Sequence, residues 1–294
     1  MEVIFGKRAG FCPGVKNAVI KTEKYAEQFG KIYCLGQLIH NKQVTEKLKL
    51  KGLKIVDDIS DVPNDVHLII RAHGIPKETY KKIEEKNIKL IDLTCPKVLQ
   101  IHKQVENYAE NGYYIILMGE KEHPEVIGTY SFGKPNISIV ENPEDIKTTI
   151  EDINKKDIRN IAIVSQTTFS MDKFEQYVSN IKKMIKKDSN LEVNKTICDA
   201  TRLRQIETSQ IAKQVELMIV IGGKNSSNTK KLYEISLKEC NNAMLVETID
   251  DLYLNYIKRF KKVGVMAGAS TPKDIIDEIV EILEKTKTEN YIYG

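Results

Sequence analysis

Ile88-Lys89-Leu90-Ile91-Asp92-Leu93-Thr94-Cys95-Pro96-Lys97-Val98 passes from an apolar strand, through a cysteine, into a helical stretch that runs from Val98 to Glu110. The proline directly after the cysteine suits the first turn of a helix. The same passage recurs at Leu191–Ile197 before Cys198, and again at Val3–Phe11 before Cys12, where Pro13 follows. Counting outward from each cysteine confirms a repeat. A glycine stands 24 residues on, at Gly36, Gly119 and Gly222, and a polar residue 28 residues on, at His40, His123 and Ser226. Thr167 and Ser270 both lie 72 residues past their cysteines, and His73 is the shorter equivalent in the first copy, at 61.

Each copy alternates helix and strand. Helical stretches Val15–Phe29, Val98–Glu110 and Arg202–Gln214 follow the cysteines, and apolar strands Lys31–Leu35, Tyr113–Met118 and Leu217–Ile221 end at the repeated glycines. Short strands follow at Leu53–Val56, Ile137–Val140 and Ala243–Val246, then at His67–Ile70, Ile161–Val164 and Val263–Met266. Strands rich in Ile, Val and Leu that alternate with helices imply parallel sheets covered on both faces. The expected fold is α/β: three small domains related by a pseudo-three-fold, with parallel sheets around a central cavity. The repeat divides the chain into lobes 14–95, 96–193 and 194–282, with strand 1–13 joining the third and 283–294 left as a polar C-terminal tail.

Composition sets the outer limits. The 294 residues make three units of roughly ninety residues, small enough to gain from packing on each other. Lys and Arg number 45 against 41 Asp and Glu, a net +4, which gives no reason to expect nucleic acid or a membrane as partner. No apolar run reaches the ~18–20 residues of a membrane-spanning helix. The start Met1-Glu2-Val3-Ile4-Phe5 lacks the pattern of a signal peptide, so a cytoplasmic location is expected. Five widely spaced cysteines do not form a disulfide framework. Cys34, within Ile32-Tyr33-Cys34-Leu35, reads as a core residue, and Cys240 also falls outside the repeat.

Three cysteines placed equivalently would bring three thiolates to one point, each at a helix start that favours an anionic sulfur. Zinc held by three Cys and one His is one occupant, but closed zinc sites use Cys-x2-4-Cys pairs, and none occurs here. A cubane iron–sulfur cluster with one iron left open is the other, and long-range cysteines at domain edges favour it. His40, His73 and His123 lie at predicted strand-end loops, whereas His67 and His102 fall within a strand and a helix and read as structural. Gly222-Gly223-Lys224-Asn225-Ser226-Ser227-Asn228 lacks the first glycine of a P-loop. Its hydroxyls, with Ser165-Gln166-Thr167-Thr168 and Ala267-Gly268-Ala269-Ser270-Thr271-Pro272, could cap helices or cradle a small polyanion. Glu125, the carboxylate closest in sequence to a candidate histidine, could hold a proton or equally be a solvated surface residue.

These motifs carry a resemblance to a known family. Gly10-Phe11-Cys12-Pro13-Gly14-Val15, Arg71-Ala72-His73-Gly74, Asp92-Leu93-Thr94-Cys95-Pro96, Glu122-His123-Pro124-Glu125, Gln166-Thr167-Thr168 and Lys224-Asn225-Ser226-Ser227-Asn228 resemble the 4-hydroxy-3-methylbut-2-enyl diphosphate reductases, the IspH/LytB family. That resemblance covers nearly the whole chain. It implies three α/β lobes around one [4Fe–4S] cluster per chain, with Cys12, Cys95 and Cys198 as ligands and an open fourth iron. It implies that His40, His73, His123, Ser226, Ser227, Asn228 and Ser270 hold the diphosphate, that Thr167 contacts the substrate hydroxyl, and that Glu125, with Thr167 and His123, serves proton delivery. The implied reaction is the two-electron reductive dehydroxylation of (E)-4-hydroxy-3-methylbut-2-enyl diphosphate to isopentenyl and dimethylallyl diphosphates, the last step of the methylerythritol phosphate route. Some members carry C-terminal RNA-binding modules, for which this chain leaves no length. Lacking a second cysteine set and a Gly-x-Gly-x-x-Gly fingerprint, the chain is expected to take electrons from a ferredoxin or flavodoxin. The run Lys182, Lys183, Lys186 and Lys187 is one candidate docking face, though a solvated helix face is the better reading. A zinc-dependent hydrolase or metal-binding regulatory protein is the alternative.

Overall fold

A computed structural model describes residues 1–289. Its strands form three four-stranded sheets, and every pairing is parallel. In the first, β2 (Ile32–Leu35) lies between β3 (Leu53–Val56) and β4 (His67–Ile70), with β5 (Lys89–Asp92) beyond β4. In the second, β6 (Tyr114–Met118) lies between β7 (Ile137–Val140) and β8 (Asn160–Ser165), with β9 (Asn190–Val193) beyond. The third places β10 (Leu217–Ile221) between β11 (Ala243–Val246) and β12 (Lys262–Ala267), and its outer strand is the N-terminal β1 (Glu2–Phe5). The order is the same three times, and the N-terminus completes the third sheet, as the repeat predicts.

By contacts the chain forms two compact units, 1–16 with 39–47 and 199–294, and 17–38 with 48–198. The third sheet belongs to the former and the other two sheets to the latter. Helix α11 (Lys273–Glu289) runs through residues 283–289 of the expected tail; residues 290–294 lie outside the described residues.

The central strands show why near-continuous apolar runs fold this way. Alternate residues of a strand face opposite sides. Ile116, Met118, Ile161 and Ile163 pack with Ile150 and Ile153 of α6 (Pro143–Lys155) and with Phe174 and Ile181 of α7 (Met171–Met184). Their neighbours Ile115, Leu117, Ala162 and Val164 pack on the opposite face with Ile101 and Val105 of α4 (Pro96–Glu110) and Val126 of α5 (Pro124–Gly133). The third sheet repeats this. Leu217, Ile219 and Ile221 face Ile279 and Leu283 of α11, while Met218 and Val220 face Ile211 of α8 (Asp199–Ala212) and Leu232 of α9 (Ser227–Cys240). Cys34 is wholly buried in β2, and burial pushes its thiol up to about 12.

Two sequence expectations shift at their ends. The helices after the cysteines begin at Pro13, Pro96 and Asp199, earlier than Val15, Val98 and Arg202; in the first two a proline needs no N–H partner in the first turn. The strands leading to Cys12 and Cys198 stop at Phe5 and Val193, short of Phe11 and Ile197.

Replacing Ile219, fully buried, with Ala leaves a cavity in a two-sided core and should lower stability by about 2–5 kcal/mol, whereas Ile206→Ala, 41% exposed, should cost about 0.5 kcal/mol or less. Denaturant midpoints of the two variants check this.

Candidate functional site

One equivalent backbone contact stands at the C-terminal edge of each sheet. Each repeated glycine extends its strand's ladder by donating its N–H to the last residue of the neighbouring strand: Gly36 to Val56 (2.7 Å), Gly119 to Val140 (3.0 Å) and Gly222 to Val246 (2.9 Å). Glycine is required at two of these for close approach. Gly36 has φ +71 and lies under the Arg71 guanidinium; Gly222 has φ +147, and a Cβ there would sit 2.7 Å from Thr271 Oγ1. Five residues past each first strand come His40, His123 and Ser226, at the starts of helices. His123 Nδ1 accepts the N–H of Glu125 (3.1 Å) and so caps α5, and Ser226 Oγ accepts from Thr229 (3.4 Å) and caps α9. In the first copy the cap is Asn41, whose Oδ1 accepts from Val44 (3.0 Å), and His40 stands just before it.

The cysteines are anchored alike. Cys12 donates its N–H to Ala269 (3.2 Å), Cys95 to Ala72 (3.0 Å) and Cys198 to Thr167 (3.0 Å). Each acceptor lies two residues past its sheet's third strand, β12, β4 or β8. Each cysteine is thereby tied to the loop carrying Ser270, His73 or Thr167. All three are half-buried, and no disulfide forms among the described residues.

In the unit holding the first two sheets, the His73 and His123 rings meet edge to face, 5.3 Å between centroids. Helices α3 (Lys77–Glu85) and α5 bring them together: the Lys77 N–H donates to Ser131 Oγ at 2.8 Å, and Gly128 backs onto the Ile75 carbonyl. Because His123 Nδ1 accepts a backbone N–H, a neutral ring carries its proton on Nε2, as an outward donor. Glu125, the second residue of α5, is 3% exposed. Its Oε1 accepts the Thr167 N–H at 2.6 Å and its Oε2 the Thr167 hydroxyl at 2.7 Å. Burial pushes its carboxyl from an ordinary 4.5 up to about 7, the two Thr167 bonds hold it down, and the charge of Glu120 adds a smaller upward push.

In the other unit, the Ser270 hydroxyl donates to the His40 carbonyl at 3.3 Å, and Gly223 lies close against that same carbonyl. Ser226, Ser227 and Asn228 are buried at the start of α9. Neither end of the Asn228 amide has a protein partner among the described residues. An unmet buried amide costs roughly 1–3 kcal/mol, which a polar ligand would offset.

His67 stacks on Phe29 at 3.7 Å, and His102 is buried against Phe132 at 4.4 Å, with desolvation holding its pKa down to about 4. Both are structural, as the sequence suggests. Sequence reasoning left out Gln166 and Arg71. Gln166 Oε1 accepts from the Glu120 N–H (3.0 Å) and its Nε2 donates to Thr168 Oγ1 (2.9 Å), so it ties the end of β6 to the end of β8. Both residues stand inside the quoted motifs, and only the crossing of strand ends reveals their part. Of the basic run, Lys182 and Lys183 are exposed on the last turn of α7 and Lys186 pairs with Asp157, which is a solvated surface.

The arrangement matches known proteins. The LytB protein family matches residues 3–284. The chain belongs to the LytB family. It is 41% identical to the 4-hydroxy-3-methylbut-2-enyl diphosphate reductase of Clostridioides difficile, over 97% of this chain and 99% of that one. The enzyme of the same name from Aquifex aeolicus is 40% identical, over 95% and 94%. The solved structure of the E-1-hydroxy-2-methyl-but-2-enyl-4-diphosphate reductase from Plasmodium falciparum superposes with TM-score 0.87 at 33% identity, covering 96% of this chain and 87% of that one. A structure described as the terminal enzyme of the non-mevalonate pathway matches with TM-score 0.69 at 38% identity, over 97% and 100%. The zinc-hydrolase and regulatory alternatives find no support among these relatives. No helix among the described residues is long and apolar enough to cross a membrane.

A protonated Glu125 is the form favoured by burial, so the folded chain binds more protons than the unfolded one between about pH 4.5 and 7. Stability from this group is therefore present at low pH and declines as pH rises through that window. Glu125→Gln should remove that slope from a stability–pH curve. Thr167→Val, which deletes the hydroxyl bond to Oε2, should move the carboxyl titration seen by infrared spectroscopy further upward; a downward move would contradict the assigned contact.

Proposed function

We propose that this chain reduces (E)-4-hydroxy-3-methylbut-2-enyl diphosphate to isopentenyl and dimethylallyl diphosphates, taking up two electrons and two protons and releasing water. The observation that carries the reading is a family match across nearly the whole chain that coincides with three cysteines anchored identically in three repeats. Cys12, Cys95 and Cys198 suit a [4Fe–4S] cluster: three sulfur donors, none consumed in a disulfide, each at a helix start. When bound, the cluster supplies the electrons and an open Lewis-acidic iron. An external carrier, a ferredoxin or flavodoxin, must replenish those electrons in the cytoplasm.

The protein's own groups divide binding from proton transfer. His40, His73, His123, Ser226, Ser227, Asn228 and Ser270 bind the diphosphate in this reading, with the N–H groups at the start of α9 favouring an anion. His123 contributes its Nε2 proton as a donor. Thr167 faces the substrate hydroxyl, and Glu125 supplies the proton that turns the leaving hydroxyl into water. A carboxyl that titrates near 7 is about half protonated at neutral pH, and its acid form gives up its proton readily. In its acid form Glu125 donates where it otherwise accepts, so its contact with the Thr167 hydroxyl becomes a two-step proton path. Glu125 is 3% exposed, so little solvent competes for its carboxyl.

Cys12→Ser, Cys95→Ser and Cys198→Ser should each lose most of their iron on anaerobic purification, while Cys34→Ser should retain it; full iron in Cys198→Ser would end the ligand assignment. His40→Ala, His73→Ala and Asn228→Ala should each weaken substrate binding by about tenfold or more, with the cluster spectrum unchanged. Glu125→Gln should still bind substrate, yet turn over at least about a hundredfold more slowly.

A further inference from the structure

The three cysteines are anchored alike but approached differently. Cys95 comes three residues after β5 ends at Asp92, and the Leu93 N–H continues the ladder to Ile70 at 3.1 Å. Cys198 comes five residues after Val193, and the Thr196 hydroxyl, donating to the Ser165 carbonyl at 2.6 Å, fixes that stretch to β8. Cys12 comes seven residues after Phe5, past a turn and past Gly10, which has φ +95. Among the described residues that lead has no sheet partner of its own beyond Gly6, whose N–H reaches Val265 at 2.9 Å.

Two side chains of α8 take over there. Glu207 accepts the N–H groups of Lys7 (2.9 Å) and Arg8 (3.0 Å), one on each carboxylate oxygen. Arg204, one turn earlier and 3% exposed, donates Nε to the Arg8 carbonyl and Nη2 to the Gly10 carbonyl, both at 2.9 Å, and Nη1 to Ala200 at 3.3 Å. Residues three apart on a helix share a face, so one helix face supplies both acceptors and donors to a segment that lacks a strand partner. A planar guanidinium spans two carbonyls two residues apart in a way that a lysine ammonium does not. The helix that carries both begins one residue after Cys198.

We propose that Arg204 and Glu207 are positioning residues for Cys12: they substitute for the missing strand pairing and fix the reach of the one cluster ligand whose approach is irregular. This rests on the cluster reading above, but the geometry of Cys12 does not require the cluster to be present.

The test reads thiol reactivity and cluster retention separately. In the anaerobic, cluster-free chain, Arg204→Met and Glu207→Gln should speed iodoacetamide labelling of Cys12 at least about tenfold, with Cys95 and Cys198 within roughly twofold of the parent, because a charge-assisted contact holding the loop shut is gone. In the reconstituted protein the same variants should release iron faster, and Arg204→Lys should fall between parent and Arg204→Met. Glu239→Gln, which touches only Ser209 and Lys213 among the contacts described, is the control. Unchanged Cys12 labelling in a folded Arg204→Met overturns the proposal, and so does equal acceleration at all three cysteines, since that is general loosening. If Arg204→Met does not fold, Glu207→Gln, on the half-buried rim, decides by the same criterion. A parent protein that takes up no iron defeats the cluster reading, and labelling alone then judges the clamp.

Discussion

One backbone hydrogen bond, made three times, underlies the rest. The cysteine N–H reaches the carbonyl two residues past the third strand of its sheet, at Ala72, Thr167 and Ala269. A strand end in a parallel sheet is rigid because its ladder is buried on both faces. A bond to the first residues beyond that end carries the rigidity outward to a side chain that could otherwise swing. It also couples two functions, since the residue accepting from each cysteine adjoins, or is, a polar residue assigned to the substrate. The sulfur donors and the polar groups thus share one register in each repeat.

Burial does a second kind of work at Glu125. A carboxylate with two hydrogen bonds from Thr167 would ordinarily titrate low. Here desolvation outweighs both bonds and the carboxyl ends near 7. Position in α5 sets this balance: the helix starts at Pro124, capped by His123, and so turns Glu125 inward toward the end of β8. The same cap fixes the His123 tautomer. One short turn therefore buries the Glu125 carboxyl and sets which His123 nitrogen carries the proton in the neutral ring.

The repeat also explains where uniformity fails. Two cysteines follow closely on strands of their own sheets; the third is reached from the N-terminus, whose strand closes the third sheet by joining it from the opposite end of the chain. The seven-residue step from Phe5 to Cys12 is irregular, and its backbone groups still need partners. Arg204 and Glu207 meet that need, and no spacing rule in the sequence would single them out from the other charged residues of a helix.

The sequence by itself determined three parallel-sheet α/β repeats and the spacing that relates them. Near-continuous apolar runs of Ile, Val and Leu that alternate with helices point to parallel strands covered on both faces, and the 24- and 28-residue spacings place a glycine and a polar group at the same strand end in every copy. The strand assignments Leu53–Val56, Ile137–Val140 and Ala243–Val246 are those observed. Spacing along a chain is local information, and these features depend on local periodicity. Tertiary structure alone decided what depends on neighbours distant in sequence: that Glu125 is buried rather than solvated, that Thr167, 42 residues away, grips both its oxygens, that Asn228 keeps a buried amide without a protein partner, and that α8 holds the segment before Cys12. A carboxyl's proton affinity and a loop's position are set by whatever packs against them, and only the folded chain brings those groups together.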